Sequence, residues 1–446
     1  MRHGGRIPAV LGIVALALTA GASIAPSLRP PVALASEGLV HSWVLDEDSG
    51  SAVGFAVAVP TGTSPDLLPG SHVLDPGADA APAERRAALE AAERQRAWVA
   101  AGTVPGADGP HAPLARTALL DLHTATHSPD GEVQAPQAAP TGAWRYIWPR
   151  DAAFAAVALA RTGHADDAVA VLSFFDGVEV TPQGYHARYR PDGSVAGDGR
   201  APQLDGAGWL LWATAEVTAA APPTEVEDVR RRLADVTAVA GDLLMTATSA
   251  PDRLPPPSSD YWELPETRLT LGTAMPVLTG LDALATLHEG AGRAAEGAAA
   301  RTRLGEVRDA VVHVFGPTWP REAGGRHQDA ALAMALPPFQ DAALPGAEAA
   351  WRLSARGMAR PAGGLAPGQE WGESDYSWTP QTALYALAAA SLGDDAQAHD
   401  RLDWLASHTT LTGSIPEKVG PDGGSAQVAP LIWSTSLVLL TLAELD

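Results

Sequence analysis

An all-α fold of paired helices is what this sequence predicts, and two observations carry it. Apolar residues recur at helical spacing in thirteen segments, near 84–101, 113–126, 150–162, 165–176, 206–221, 225–248, 270–289, 294–315, 328–336, 345–358, 378–391, 395–407 and 430–445, with no strand pattern between them. A weak repeat also runs along the chain. Leu159 to Leu172, Leu287 to Leu304 and Leu387 to Leu405 each read as a helix end, a glycine and an Ala-rich charged helix start. Gly163, Gly290 and Gly393 are the expected helix stops. Each such unit is a helical hairpin, and six hairpins closed on themselves make an (α/α)6 barrel with one rim open as a pocket. An open solenoid of the same hairpins is the alternative, and it calls for a tighter period than this chain has.

The exception to helix is a short N-terminal β-hairpin. Val53, Phe55, Val57 and Val59 alternate with small residues, and Asp46 to Gly50 supplies a turn after Trp43-Val44-Leu45. A Pro-, Gly- and Ala-rich stretch follows. The expected organisation is a signal peptide over 1–35, a hairpin and linker over 36–83, and the helical domain over 84–446. The leader reading rests on basic Arg2, His3 and Arg6, then apolar Val10 to Ile24. A small-x-small site at Ala33-Leu34-Ala35 places the cut after Ala35, with Ala20-Gly21-Ala22 as an earlier option. The apolar run is short for a membrane span and is broken by Gly12 and Gly21, so it reads as export to the envelope or medium. No other stretch is apolar enough to cross a bilayer.

Composition narrows the function. With 30 basic and 52 acidic residues the formal charge is −22, which disfavours nucleic acid and anionic membranes as partners. The absence of cysteine excludes disulfides, thiol catalysis and cysteine-ligated metals. Thirteen Trp against six Phe and six Tyr suits sugar-ring stacking and core filling equally. No H-E-x-x-H, G-x-S-x-G or phosphate-cradling glycine loop occurs. His327 near Asp329 reads as a loop pair before it reads as a metal site, and Tyr185 to Arg190 as an aromatic-basic rim loop.

The chemistry is expected on loops at one rim of the ring. Asp260-Tyr261-Trp262-Glu263 follows the proline run Pro255 to Pro257, which favours an extended backbone and opens onto a long helix. A carboxyl held against an indole is partly desolvated and tends to keep its proton, as a general acid must. The plain alternative is a Trp in the core and a Glu in solvent. Glu417, in Pro416-Glu417-Lys418, is a second loop carboxylate of the kind a two-carboxylate glycosidase needs, or a surface Glu paired with Lys418. Trp148-Pro149-Arg150-Asp151 opens a helix, where Asp151 can cap and Arg150 can pair, or both can bracket sugar hydroxyls.

Taken together these loops resemble the glucoamylase-type glycoside hydrolases, family 15, from about Leu114 to Leu445 and in the family's order. The family's W-x-R-D is met by Trp148-Pro149-Arg150-Asp151, its Q-x-D-G by Gln203-Leu204-Asp205-Gly206, and its D-x-W-E by Asp260-Tyr261-Trp262-Glu263. Its base segment and P-L-x-W-S helix start are met by Pro416-Glu417-Lys418 and Pro430-Leu431-Ile432-Trp433-Ser434. The resemblance implies an (α/α)6 barrel that hydrolyses an α-glucosidic bond of an oligo- or polysaccharide from the non-reducing end, with inversion. It implies Glu263 as general acid and Glu417 as general base. Tyr146, Trp148, Arg150, Asp151, Asp205 and Trp262 would form the sugar site, and no metal or organic cofactor is implied. Three departures stand out: Ala143 and Trp144 where members carry an acid and a Tyr, Lys418 where they carry Gln, and no room over 36–112 for the N-terminal β-sandwich common in bacterial members.

Glucoamylase, isomaltose- or dextran-cleaving glucosidase and α,α-trehalase are not separable at this level, because they differ by a few side chains. A non-catalytic sugar-binding protein on the same barrel is the alternative that the Trp144 departure favours. A helical scaffold at the cell surface would set Glu263 and Glu417 far apart.

Overall fold

The computed structural model describes residues 32–446 apart from Ser374. The leader expected over 1–35 therefore lies almost wholly outside the described residues. Among these, no helix is long and apolar enough to cross a membrane.

The chain opens with β1 (Gly38–Leu45) and β2 (Ala52–Val59), antiparallel from Gly38 opposite Val59 to Leu45 opposite Ala52. Then come α1 (Pro82–Ala101), α2 (Ala112–Thr126), α3 (Pro149–Arg161) and α4 (Ala165–Ser173). A two-residue ladder of β3 (Val180–Thr181) and β4 (Gly184–Tyr185) precedes α5 (Asp205–Ala220), α6 (Val226–Arg232) and α7 (Ala234–Ala247). Next are α8 (Leu271–Gly290), α9 (Ala294–Phe315), a 3-10 segment at Ala330–Ala335 and α10 (Ala347–Met358). The last part is β5 (Ser377–Trp378), α11 (Thr379–Ser391), α12 (Asp395–Ser407), β6 (Lys418–Val419), β7 (Ser425–Ala426) and α13 (Ile432–Leu445).

Six of these segments close a ring. α3 packs on α5, α5 on α8, α8 on the 3-10 segment, that segment on α11, α11 on α13, and α13 back on α3. α2, α4, α7, α9, α10 and α12 lie outside them. The fold is an (α/α)6 barrel with a small N-terminal hairpin. The sequence explains which helix goes where. α3, α5, α8, α11 and α13 are buried nearly all round and carry few charges, as a core helix must. α9 and α12 keep a charged face and bury one stripe, Ala300, Leu304, Val307 and Val311 in α9 and Ala398, Leu402 and Leu405 in α12. Small residues set the spacing: a Cβ on Gly208 of α5 would stand 2.0 Å from the Pro276 carbonyl of α8.

The differences from the sequence reading are local. The segment expected over 225–248 is two helices broken at Leu233, and 328–336 is a 3-10 segment. Gly163 and Gly393 do end helices at φ +90° and +74°, but after α8 the left-handed residue is Gly292 (φ +71°), with Gly290 still helical. Short strands do occur between helices, notably β5-β6-β7.

The hairpin docks beside α1 and α2, over a small cluster of Trp43, Leu68, Val73, Ala88, Ala91 and Ala92. Beneath it, His41, His72, His123, His127 and His164 are all buried. His123 and His127 stack at 4.1 Å, His164 stacks on Trp98 at 3.6 Å, and Asp121 and Asp167 lie 3.3 Å from His72 and His127. Ahead of the hairpin, Ala35 donates its amide to the Gln427 carbonyl at 2.7 Å, and Ser36 exchanges hydrogen bonds with Ala429.

Candidate active site

Every segment of the inner ring begins at the same rim. The residues at or just ahead of those starts are Trp148 to Asp151, Gln203 to Asp205, Asp260 to Thr270, Asp329, Trp378 to Gln381 and Leu431 to Trp433. They come from loops far apart in sequence, and the ring brings them together. Helix N-termini carry partial positive charge, so this rim favours carboxylates and ligand oxygens.

One pocket of about 200 Å³ opens there, and both Glu263 and Glu417 line it. Trp148, Arg150, Asp151 and Trp262 share the wall, as the sequence reading expects. Tyr146 and Asp205 stand one step behind it. Tyr146 lies under the Arg188 guanidinium at 4.3 Å and meets Trp148 edge-on. Asp205 is buried 3.9 Å from Arg150, and burial pushes its carboxyl up to about 7, against the pull of Arg150. Asp151 sits 3.0 Å from Arg150 and is raised by burial in the same way. The pairing expected of Arg150 and Asp151 is present, and both still face the cavity.

The Glu263 loop is held from below. The Asp260 carboxylate accepts from the Trp262 amide at 2.9 Å and from the Thr270 hydroxyl at 2.7 Å. Arg321 then gathers Asp260 (3.1 Å), Glu266 (2.7 Å) and Asp329 (3.5 Å), with its guanidinium 3.9 Å from the centre of the Trp262 ring. Tyr261 donates to Asp329 at 3.0 Å, and burial pushes Asp329 up to about 7. Asp329 is thus part of this support, while exposed His327 turns to Glu370. Among the described residues no group of three His, Cys, Asp or Glu could hold a metal ion. Glu263 itself takes φ +57°, a left-handed conformation unusual for a side chain of its size. The indole that touches its carboxylate is Trp148, through Nε1–H, and not Trp262, which the sequence suggests. Arg200 also pairs with it.

Glu417 precedes β6, which lies between β5 and β7. Its amide donates to Val428 at 2.8 Å and its carbonyl accepts from Thr379 at 3.0 Å, so the backbone is fixed on both sides. The side chain is buried, and burial pushes the carboxyl up to about 7, with Lys418 and the Trp144 hydrogen bond pulling it down. It is not a surface pair with Lys418, whose ammonium goes to Glu373 at 2.7 Å and over the Trp378 ring at 4.1 Å. Trp144 donates Nε1–H to Glu417 at 3.3 Å.

The rest of the wall is aromatic. Trp371, Trp378 and Trp433 join Trp144, Trp148 and Trp262, and Gln381, Arg188 and Arg200 also reach it. Buried polar atoms here make no hydrogen bond to the protein: Nε1 of Trp262, Trp371, Trp378 and Trp433, Oε1 of Gln381 and Oε2 of Glu417. Donors and acceptors set between indole faces in so small a space match a polyhydroxylated ring. A larger groove of about 670 Å³, between β2 and residues 134–145, holds no carboxylate, so size does not choose the site. Arg200, Gln381, Trp378 and Arg321 escaped the sequence reading. The only signal for any of them was the excess of Trp.

No protein-family model matches the chain, and no curated protein does. Solved structures do. A glycosidase E335A variant in complex with glucose aligns with TM-score 0.59 and 22% identity over 70% of this chain and 91% of its own. A bacterial glucoamylase complexed with acarbose aligns with TM-score 0.65 and 13% identity, covering 82% of this chain and 62% of the other. The glucoamylase from Saccharomycopsis fibuligera aligns with TM-score 0.57 and 12% identity over 74% and 94%. At these identities the likeness is one of fold: this chain shares the helical-hairpin barrel of glycosidases and glucoamylases.

Proposed function

We propose that the protein is an inverting glycoside hydrolase that removes an α-linked glucosyl unit from the non-reducing end of an oligo- or polysaccharide. The observation that carries this reading is the convergence of Glu263 and Glu417 on one small, indole-walled pocket with unused hydrogen-bonding groups. A pocket of about 200 Å³ suits one terminal ring better than the middle of a chain. The family resemblance supplies the roles. Glu263 gives its proton to the glycosidic oxygen as that bond to C1 breaks. A water oxygen bonds to C1 from the opposite face, and its proton goes to Glu417. Arg150 and Asp151 would hold the terminal hydroxyls, and Asp205 would keep Arg150 in place.

One feature opposes the role given to Glu417. Burial favours the protonated form of its carboxyl. Lys418 and Trp144 offset this, so Glu417 is mostly ionised above about pH 7. The hydrogen bond from Trp144 also favours catalysis over passive binding, because it orients a carboxylate that a mere binding protein need not orient. The basic, then apolar leader supports action outside the cytoplasm.

The test is the anomer first released from an α-glucoside panel, followed by proton NMR. β-Glucose is expected. An α product means retention and removes the role given to Glu417.

A further inference from the structure

Three arginines reach the pocket wall, and they are not equivalent. Arg150 is buried against Asp151 and Asp205. Arg188 is buried against Asp198, with its guanidinium 4.3 Å from the Tyr146 ring and 5.1 Å from the Trp148 ring. Arg200 is different: its side chain is 34% exposed, against 9% and 7% for the other two. It ends a segment in which Gly193, Gly197 and Gly199 all take positive φ. Its share of Asp198, at 3.2 Å, is divided with Arg188, and its other partner is Glu263.

A general acid must touch the oxygen that leaves, so a cation seated on Glu263 lies on the leaving-group side of the scissile bond. We propose that this side of the pocket is built for a glycoside whose aglycone carries an anion, and that Arg200 is the residue that binds it. The inference rests on the hydrolase reading above and adds the substrate class. Arg200 pairs with Glu263. An anionic aglycone offers the guanidinium another partner. As Arg200 turns to it, Glu263 is released to carry a proton from solvent to the leaving oxygen. A neutral aglycone offers no such partner and is cleaved more slowly. A chain of formal charge −22 repels anions at long range, so a local cation is needed to take one. The guanidinium fork suits a carboxylate or a phosphate oxygen pair.

The experiment compares two α-glucosides of similar size and leaving-group basicity, those of 3-hydroxypropanoate and 3-hydroxypropanamide. The whole protein should cleave the carboxylate with a kcat/KM about tenfold or more above that of the amide. In Arg200→Gln the ratio should fall to about one, most of the loss lying in KM for the carboxylate. Free 3-hydroxypropanoate should inhibit the unaltered protein, and the free amide should not, which decides the matter if the variant does not fold. Equal kcat/KM for both glucosides in the unaltered protein, or a preference that survives in Arg200→Gln, overturns this proposal and leaves the hydrolase reading standing. No turnover of either glucoside while the α-glucoside panel is cleaved overturns this proposal alone; no turnover of any of them overturns both.

Discussion

The Trp144 indole N–H lies 3.3 Å from Oε1 of Glu417 and donates to it. An indole can only donate, so this contact favours the carboxylate over the acid and cannot relay a proton. The aromatic position that departs from the family pattern is therefore still joined to the second carboxylate, by a nitrogen. Trp144→Phe should keep the ring and lose the donor, cutting kcat by about tenfold or more. Trp144→Tyr should fall between the two in a steady-state assay if a hydroxyl can reach Glu417.

The pH profile should report Glu417. As the proposed base, Glu417 must be ionised, and its carboxyl is pushed up to about 7 by burial, so kcat/KM should fall as pH drops through about 7. Lys418 draws that value down. Lys418→Gln removes the pull, so the acid limb should move to higher pH by about one unit. An unmoved or lowered limb would show that another group sets it.

Glu263→Gln and Glu417→Gln should each lower kcat by about 10² to 10⁴ while leaving the circular dichroism spectrum unchanged. Full activity in the Glu263 variant would pass the acid's role elsewhere, with Glu266 the next carboxyl on that loop. Glu266, however, is committed to Arg321 at 2.7 Å.

Arg321→Met should be costly to stability. It takes one guanidinium away from Asp260, Glu266 and Asp329, leaving buried acids without their counter-charge. A loss of about 3–5 kcal/mol in urea unfolding is expected, with the Glu263 loop loosened and turnover lost.

The histidines under the hairpin should make stability depend on pH. Burial holds His41 and His164 down to about 4 and His123 down to about 2, the neighbouring histidines adding to the effect at His123. Unfolded histidine takes a proton near 6.5, so the unfolded chain binds more protons below that pH and stability drops as pH falls from about 6.5 toward 4. Three such groups give a slope of at most about 4 kcal/mol per pH unit. Hydrogen exchange should show β1 and β2 losing protection before the inner helices. A melting temperature that is flat across this range would rule the effect out.

The helices were readable because their inner faces are apolar all round and their outer faces striped, and both patterns have a period. The ends of α1, α2, α3, α8, α9, α11 and α12 fall within two residues of the sequence reading. The β5-β6-β7 sheet was not readable, since two-residue strands have no period, yet it fixes the backbone beside Glu417. The short motifs placed Glu263, Glu417, Arg150 and Asp151 in one pocket. Single residues did not announce themselves. Arg200 ends a glycine-rich loop, Gln381 opens a helix behind a proline, and Arg321 stands alone in sequence, so their partners appear only when the ring is closed. Trp262 misled for the same reason. Adjacency in sequence put it beside Glu263, and packing turned it onto Arg321.

Residues 32–36 tie the chain's beginning to its last hairpin. Val32 donates to the Tyr376 hydroxyl at 2.7 Å, Leu34 bridges Gln427, and Ala35 and Ser36 follow with bonds to Gln427 and Ala429. That tether ends beside Leu431 in the pocket wall. If a leader is removed, as the sequence reading proposes, the place of the cut bears on the rigidity of this rim. A cut after Ala22 would keep the tether, whereas a cut after Ala35 would discard most of it and leave the new amino terminus on buried Ser36.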